Sequence, residues 1–129
     1  MKKFENFCKA LENLKEGAEI ENLSMVEEAG LIKLFEICFE QTWKVLKAVL
    51  EMQGLNPNRI ATPKKIFALA YSAGILPEEE IYIEILKTRN ILIHTYDAEK
   101  SSETILKIKS EYLPAFQTLK KILEEDWLI

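Results

Sequence analysis

Cysteine and histidine, the side chains on which disulfide frameworks and many metal sites depend, are scarce in this sequence. Its 129 residues include two cysteines and one histidine, and neither Cys8 nor Cys38 belongs to a Cys-x-x-Cys motif. Because both fall within helical periodicity, we predict reduced thiols in the core of a cytoplasmic protein. A chain of this length buries roughly two thirds of its unfolded surface, enough for one domain, residues 1–129, with its own core. The sequence therefore predicts no disulfide, no metal site and no cofactor.

Long apolar runs and an excess of positive charge are also absent. No apolar run approaches the roughly 20 residues that a membrane span requires, and the first residues, Met1–Asn6, become polar at once. Seventeen basic against 21 acidic residues give a formal net charge of −4. That charge disfavours the broad basic face with which proteins hold duplex DNA. We expect no membrane or DNA partner, and any contact with nucleic acid must be local.

Helical periodicity, by contrast, is abundant. Apolar side chains recur at alternating steps of three and four from Phe4 to Ala18, which predicts a first helix. A second pattern runs from about Met25 to Gln53, and its apolar stripe is broad enough to face more than one neighbour. No segment alternates in the manner of a β-strand.

Turn and capping residues divide the rest of the chain. Thr62-Pro63 supplies an N-cap and a first-turn proline for a third helix that stops at Gly74. Pro77 and three glutamates start a fourth helix that ends near His94, and the polar stretch Asp97–Ser102 separates it from a fifth. Pro114 lies inside the fifth pattern, where we expect a kink without a break. The prediction is an all-α, up-and-down bundle of about five helices.

Reactive side chains concentrate at the end of the fourth helix, around the only histidine. Asn90 and His94 lie one turn apart on one face, which Asp97 joins if the helix persists, while Arg89 and Tyr96 share the neighbouring stripe. Arg89 and His94 point roughly 140° apart. One undistorted helix cannot aim both at the same atom, so either the helix end deforms or a second copy contributes.

The apolar pattern of this helix supports the second alternative. A helix that is apolar nearly all round requires burial on both sides. A homodimer related by a two-fold axis would supply the second side and place His94 of one subunit near Arg89 of the other. One side of the helix carries Ile81, Ile85 and Leu92, and the other carries Ile83, Leu86 and Ile93.

The chemistry available to this segment suits a phosphate group. His94 can act as general base or acid, Arg89 as a fixed cation and Asn90 as a neutral positioning group. Asp97 and the helix C-terminus favour the imidazolium form of the histidine. RNA cleavage fits, because the ribose 2′-OH is an internal nucleophile that needs no metal. Spacing alone does not separate this role from that of an ordinary capping or hydrogen-bonding histidine.

Three other features have structural interpretations. Glu36 and Glu40 lie one turn apart, but a carboxylate metal pair would need Glu-x-x-His motifs that the chain lacks. We expect them to pair with lysines three or four residues away, or with Arg89 across the bundle. The core spacing around Trp43 favours a core or dimer residue over a base-stacking platform. The apolar C-terminus Trp127-Leu128-Ile129 either folds back or meets a partner.

Five blocks of the sequence recur, in order and at similar spacing, in a known family. They are Phe35-Glu36-x-x-Phe39-Glu40-x-x-Trp43-Lys44, Thr62-Pro63, Ala70-Tyr71-x-Ala73-Gly74-Ile75-Leu76, Arg89-Asn90 to His94-Thr95-Tyr96-Asp97, and Tyr112-Leu113-Pro114-Ala115. The fourth block is similar to the R-x4-H-x-Y signature of HEPN-domain proteins. The whole chain resembles their subfamily of nucleotidyltransferase substrate-binding proteins, except that Tyr82 stands where a tryptophan is expected.

The resemblance implies a dimeric helical bundle that works with a separately encoded minimal nucleotidyltransferase. In one role the helical protein is the substrate-binding subunit of that enzyme. In the other it is a ribonuclease toxin that acts on RNA and whose paired nucleotidyltransferase is the antitoxin. Arg89 and His94 would then be catalytic, Asn90 and Asp97 supporting, and Tyr96 the acceptor that the antitoxin adenylylates.

Overall fold

The computed structural model describes residues 1–55, 61–94 and 98–128, with the backbone alone for 94, 98 and 99. Every regular element in these ranges is helical, so the all-α prediction is confirmed there. Two π-helical turns join and extend the last helices into one continuous helical path, which corresponds to the fifth predicted helix. The elements are α1 (Lys2–Ala18), α2 (Met25–Met52), α3 (Pro63–Ser72), α4 (Glu80–His94), α5 (Ala98–Lys107), a π-turn (Ile108–Tyr112), α6 (Leu113–Ile122) and a second π-turn (Leu123–Trp127).

Side-chain caps fix the starts of two helices. At α2 the Ser24 hydroxyl accepts from the Glu27 backbone N–H at 3.1 Å, and the Glu27 carboxylate accepts from the Ser24 N–H at 2.9 Å. At α3 the Thr62 hydroxyl accepts from the Lys65 N–H at 3.4 Å, as the sequence predicts. Gly74, just beyond α3, adopts a φ of +83°, the left-handed conformation that favours glycine at this position.

The fourth helix begins later than predicted, at Glu80 instead of Pro77. The preceding Ile75 and Leu76 are 1% and 2% exposed, so the core anchors the chain before the helix starts. A residue that precedes proline is also disfavoured in the helical conformation. The acidic run therefore lies partly in the connection and partly in the first turn.

The predicted polar separator at Asp97–Ser102 is wrong for its described part, because α5 already begins at Ala98. Ser101 and Thr104 are 2% and 8% exposed and face the bundle. Short hydroxyl side chains can be buried in a helix when their hydrogen bonds are satisfied, and tertiary packing then overrides their weak helix propensity. Asp97 itself lies outside the described residues.

The helical path passes through Pro114 without a break, as predicted, and the irregularity is a π-turn just before it. The Leu113 N–H donates to the Ile108 carbonyl, five residues earlier. Such single wide turns are a known way to accommodate a local disruption in an α-helix. Tyr112, the last residue of the turn, is fully buried and stacks on Phe35 with ring centroids 5.5 Å apart.

The long helix α2 is the centre of the bundle and contacts α1, α3, α4 and α5. Its buried stripe includes Cys38, whose pKa is raised by burial, whereas Cys8 is half-buried; both are free thiols. The core thiol prediction is thus confirmed for Cys38. None of the described helices is long and apolar enough to cross a membrane. The fully buried aromatic residues of the core are Phe7, Phe35, Phe39, Phe67, Tyr82, Tyr112 and Phe116.

The C-terminal residues fold back onto the bundle as far as they are described. Trp127 and Leu128 are partly buried against the core and share a groove with Phe4 and Met52. The Leu128 N–H closes the second π-turn on Leu123 at 2.9 Å. Ile129 lies outside the described residues.

Candidate functional site

Arg89 is held on the side of α4 that faces α2. Its Nη2 lies 3.0 Å from Oε1 of Glu40, and its Nη1 donates to the Asn90 side-chain oxygen at 3.0 Å. Its Cζ lies 5.1 Å from the centre of the Phe39 ring, within the range of a cation–π contact. The Arg89 side chain remains 25% exposed. The partly exposed ion pair with Glu40 and the cation–π contact with Phe39 each contribute on the order of 1 kcal/mol to the free energy of unfolding. Their main effect is therefore to orient the guanidinium.

Glu40 connects Arg89 to the next turn of α2. Its second oxygen, Oε2, accepts a hydrogen bond from Trp43 Nε1 at 3.0 Å and lies 3.9 Å from Lys44 Nζ. The neighbouring Glu36 lies 3.8 Å from Lys33. The ion pairs predicted for both glutamates, including the pair with Arg89 across the bundle, are therefore confirmed.

The Phe39 ring that contacts the guanidinium is packed among other buried aromatic rings. The Phe39 ring packs edge-on against Phe67 at 6.0 Å, and Phe67 packs against Tyr82 at 5.9 Å. The Tyr82 hydroxyl donates to the Ala115 carbonyl at 3.1 Å, which satisfies its polar end inside the core. Burial raises the pKa of Tyr82. Tyr82, at the position where the resemblance leads us to expect a tryptophan, is thus an aromatic core residue.

The other predicted site residues are described to different extents. Asn90 is exposed, and its side-chain oxygen accepts a hydrogen bond from Arg89. His94 is the last residue of α4, which stays α-helical over its full length. The His94 side chain and all of Tyr96 and Asp97 lie outside the described part of the chain. Because α4 does not deform before residue 94, positions 89 and 94 stay roughly 140° apart around its axis.

A second polar network, which the sequence did not single out, lies on the opposite side of α4. The Tyr112 hydroxyl donates to Glu84 Oε2 at 2.9 Å and lies 2.8 Å from the Thr88 hydroxyl. Lys107 Nζ lies 3.1 Å from the same Glu84 oxygen and 3.8 Å from Glu111. This network forms one wall of a cleft of about 260 Å³ between α4 and α5.

The network perturbs the acidities of its members in a consistent way. Hydrogen bonds from Tyr112 and Lys107 lower the pKa of Glu84, and the Glu84 carboxylate raises the pKa of Lys107. Burial, reinforced by Glu84, raises the pKa of Tyr112 to about 12. The sequence carried one signal of this arrangement, a tyrosine in an otherwise apolar seam, whose buried hydroxyl requires a partner.

The side chains that the structure describes do not form a metal-binding cluster. Among the side chains of 1–55, 61–93 and 100–128, no three from His, Cys, Asp or Glu are grouped so that they could hold an ion. The site around Arg89 instead offers an oriented cation with an exposed face. Among the described residues, Glu40 and Asn90 use two of its five N–H donors, so within that part of the chain others remain for an anionic ligand.

Comparisons with known proteins identify a family and two relatives. Residues 2–125 match the family model described as nucleotidyltransferase substrate binding protein like. A Haemophilus influenzae protein named probable ribonuclease HepT is 32% identical over 75 residues, 57% of this chain and 51% of that protein, so the match spans about half of the relative's length. A crystal structure of a protein from Thermus thermophilus shares the fold with a TM-score of 0.75 and 32% identity, over 92% of this chain and 95% of the other.

Replacement of Tyr112 by phenylalanine tests the second network. Tyr112→Phe removes a donor to the Glu84 carboxylate, so we expect the pKa of Glu84 to rise towards its ordinary value. The variant should lose about 1 kcal/mol of unfolding free energy at neutral pH, since the hydrogen bond is only partly shielded from water. Carboxyl NMR titration and urea unfolding measure the two effects.

The sign of the pH dependence is fixed by the lowered pKa. The contribution of the Glu84 carboxylate is present above its ordinary pKa and is lost as pH falls through its lower folded value. The stability gap between wild type and Tyr112→Phe should therefore shrink in acid. The matched control is Tyr71→Phe on the exposed side of α3. An unchanged Glu84 titration in Tyr112→Phe would contradict the assignment.

Proposed function

Since the chain belongs to the family of nucleotidyltransferase substrate-binding-like proteins of the HEPN type, we propose that it is a metal-independent endoribonuclease that acts as a homodimer. In this proposal it is a toxin that a minimal nucleotidyltransferase neutralises. The observation that carries the proposal is the oriented guanidinium of Arg89, five residues before His94 on an unbroken helix. The relative named probable ribonuclease HepT supports the same activity.

The reaction needs only groups that the chain supplies. His94 accepts the proton of the ribose 2′-OH, and the 2′-oxygen attacks the adjacent phosphorus. The bond from phosphorus to the 5′-oxygen breaks, which leaves a 2′,3′-cyclic phosphate, and a protonated histidine returns a proton to the 5′-oxygen. Arg89 stabilises the charge that develops on the phosphoryl oxygens. Glu40, Asn90 and the Phe39 ring keep the guanidinium in place for this role.

The separation of Arg89 and His94 favours a site shared between two subunits. The helix stays regular, so its own curvature does not bring the two positions to one atom. Ile93 lies one turn beyond Arg89 on the same stripe of α4 and is 53% exposed. That face therefore offers apolar surface suited to a second copy. A two-fold axis beside this face would pair Arg89 of each subunit with His94 of the other.

The proposed partner would block the site by modification of Tyr96. The phenolic oxygen attacks the α-phosphorus of ATP, the bond to pyrophosphate breaks, and the phenol loses its proton. The product carries AMP on a residue that its seven-residue spacing from Arg89 predicts to lie near the guanidinium. Added bulk and negative charge there would occupy the position of the substrate phosphate.

A non-catalytic role is the alternative, favoured by the family's own description as substrate-binding-like. In that role the chain presents a substrate to a nucleotidyltransferase, and Arg89 binds its phosphate without cleavage. Both roles use the same surface. They differ in whether His94 transfers a proton.

Removal of the histidine separates the two roles. We expect His94→Ala to reduce RNA cleavage by a factor on the order of 10² to 10⁴ while helicity by circular dichroism is unchanged. A chelator should leave the wild-type rate unaltered. The exposed Lys87→Ala, on the same helix, is the control. A correctly folded, unmodified wild type that cleaves neither single-stranded nor transfer RNA would favour the substrate-binding role.

Dimerisation is tested at Ile93. Light scattering at micromolar concentration should give a dimer for wild type and a monomer for Ile93→Glu, because a buried unpaired carboxylate is costly at an apolar interface. Met52→Glu, at an exposed residue near Phe4 and Trp127, should remain dimeric. A monomeric wild type would contradict the proposal.

Mixing inactive subunits tests whether the site is shared. In a heterodimer of Arg89→Ala and His94→Ala, one of the two sites recovers both groups if they come from different subunits. Random exchange would then restore about a quarter of wild-type cleavage. No recovery, with subunit exchange verified, would place both groups in one subunit.

Adenylylation is tested by mass spectrometry after co-expression with a minimal nucleotidyltransferase that accompanies this protein. The chain should gain the mass of AMP, and Tyr96→Phe should abolish the gain. Tyr71→Phe, which removes an exposed tyrosine from α3, is the control and should be modified normally. Modification mapped to Thr95, or tight binding without modification, would contradict this part of the proposal.

A further inference from the structure

A cleft of about 250 Å³ opens between the start of α1 and the second half of α2, next to the Arg89 site. We call it the Trp43 cleft. The residues that α2 contributes to the cleft are spaced three and four apart in the sequence, so they lie on one exposed stripe of that helix. It is lined by Lys3, Trp43, Lys44, Lys47, Ala48 and Glu51.

The cleft is locally basic on a chain whose net charge is −4. Three of its six lining residues are lysines, against a single glutamate. Lys44 is already near Glu40, at 3.9 Å. In the described part of the chain, neither Lys3 nor Lys47 has a carboxylate within ion-pair distance. Two cations are therefore free to bind an external anion.

The indole of Trp43 gives the cleft an aromatic wall in a fixed orientation. The side chain is half-buried, so the core position that the sequence favoured is occupied only in part, and its remaining surface lines the cleft. Its N–H is held by Glu40 at 3.0 Å. An aromatic side chain held in place beside available cations is the combination with which proteins hold single-stranded nucleic acid, by base stacking and phosphate contacts.

One carboxylate joins this cleft to the candidate catalytic cation. Glu40 binds Arg89 through Oε1 and Trp43 through Oε2. Lys47 follows Glu40 by two helical turns on the same stripe, about 10 Å along the axis. That length corresponds to about three stacked nucleotides at roughly 3.4 Å each.

We infer that the Trp43 cleft binds single-stranded RNA beside the phosphate that Arg89 contacts, with a base on Trp43 and backbone phosphates at Lys3 and Lys47. The inference rests on the proposed ribonuclease function and adds the surface that receives the flanking nucleotides. It also explains how an acidic protein can hold RNA, because the favourable potential is confined to one cleft.

Binding of a labelled single-stranded 2′-O-methyl RNA, measured by fluorescence anisotropy, tests the cleft without cleavage, since the 2′-oxygen is blocked. The double variant Lys3→Glu/Lys47→Glu should bind more weakly. The slope of the logarithm of its binding constant against the logarithm of the salt concentration should be shallower by about 1.4, which is roughly 0.7 for each lost phosphate contact. Lys9→Glu/Lys121→Glu makes the same change of charge at exposed residues that do not line the cleft. It should keep the wild-type salt dependence.

Two substitutions of Trp43 isolate stacking from the hydrogen bond to Glu40. Both Trp43→Leu and Trp43→Phe lose the indole N–H, but only the phenylalanine keeps an aromatic face. We expect Trp43→Leu to bind about 5- to 150-fold more weakly than wild type, and Trp43→Phe to recover most of that loss. Equal affinities of the two variants would overturn the stacking role.

The outcomes distinguish this inference from the proposed function. Cleavage of RNA by wild type, with wild-type affinity in the double lysine variant, would overturn the cleft and leave the ribonuclease standing. Cleft-dependent binding without any cleavage would support the cleft and overturn the ribonuclease. If both lysine pairs weaken binding equally, overall charge explains the effect and the inference is wrong. The inference is also wrong if Lys3→Glu/Lys47→Glu loses affinity for ATP but keeps its affinity for the RNA.

Discussion

The contact between Arg89 and Glu40 is the interaction on which the candidate site depends, because it ties the fourth helix to the central second helix at the position where chemistry would occur. Its free energy is small, since both side chains reach solvent. Its importance is geometric: Glu40 divides its two oxygens between the guanidinium and the indole of Trp43, so a single carboxylate orients a cation and an aromatic ring at once. A cation that is already oriented loses less conformational freedom when it meets a phosphate.

The fourth helix is held in this orientation from both sides. On one side the guanidinium rests over Phe39, whose ring belongs to the buried aromatic core. On the other side the Tyr112 hydroxyl bridges Glu84 and Thr88, which are one turn apart on that helix. Rotation of the fourth helix about its axis would disturb the contacts of Arg89 on one side or those of Glu84 and Thr88 on the other. Polar groups left unpaired by such a rotation would lower the free energy of unfolding. The two networks thus act together to fix which residues of the fourth helix face outwards.

Much of this arrangement could be predicted from the sequence, and the exceptions share a physical reason. Periodicity located the helices, and the ion pairs of Glu36 and Glu40 followed from spacing and from the opposite charge of Arg89. The start of α4 was misplaced because the burial of Leu76 anchors the chain before the helix, and such anchoring depends on tertiary packing. The Tyr112 network was missed because its partners are 24 and 28 residues away, so it depends on the relative rotation of two helices. Local pattern carries no information on that rotation.

The π-turn before Pro114 changes how a single helical path is used. A wide turn holds one more residue than an α-helical turn, so every side chain beyond it is advanced by one position, roughly 100° around the axis. The apolar seams of α5 and α6 are therefore offset. The first segment contacts α2, whereas the second contacts α1 and also reaches α2 through Phe116 and Phe35. One inserted residue lets a straight run of sequence serve two walls of the bundle without a loop between them. The rotation of α6 relative to α5, as much as the composition of the two helices, thus determines which neighbouring helices each of them packs against.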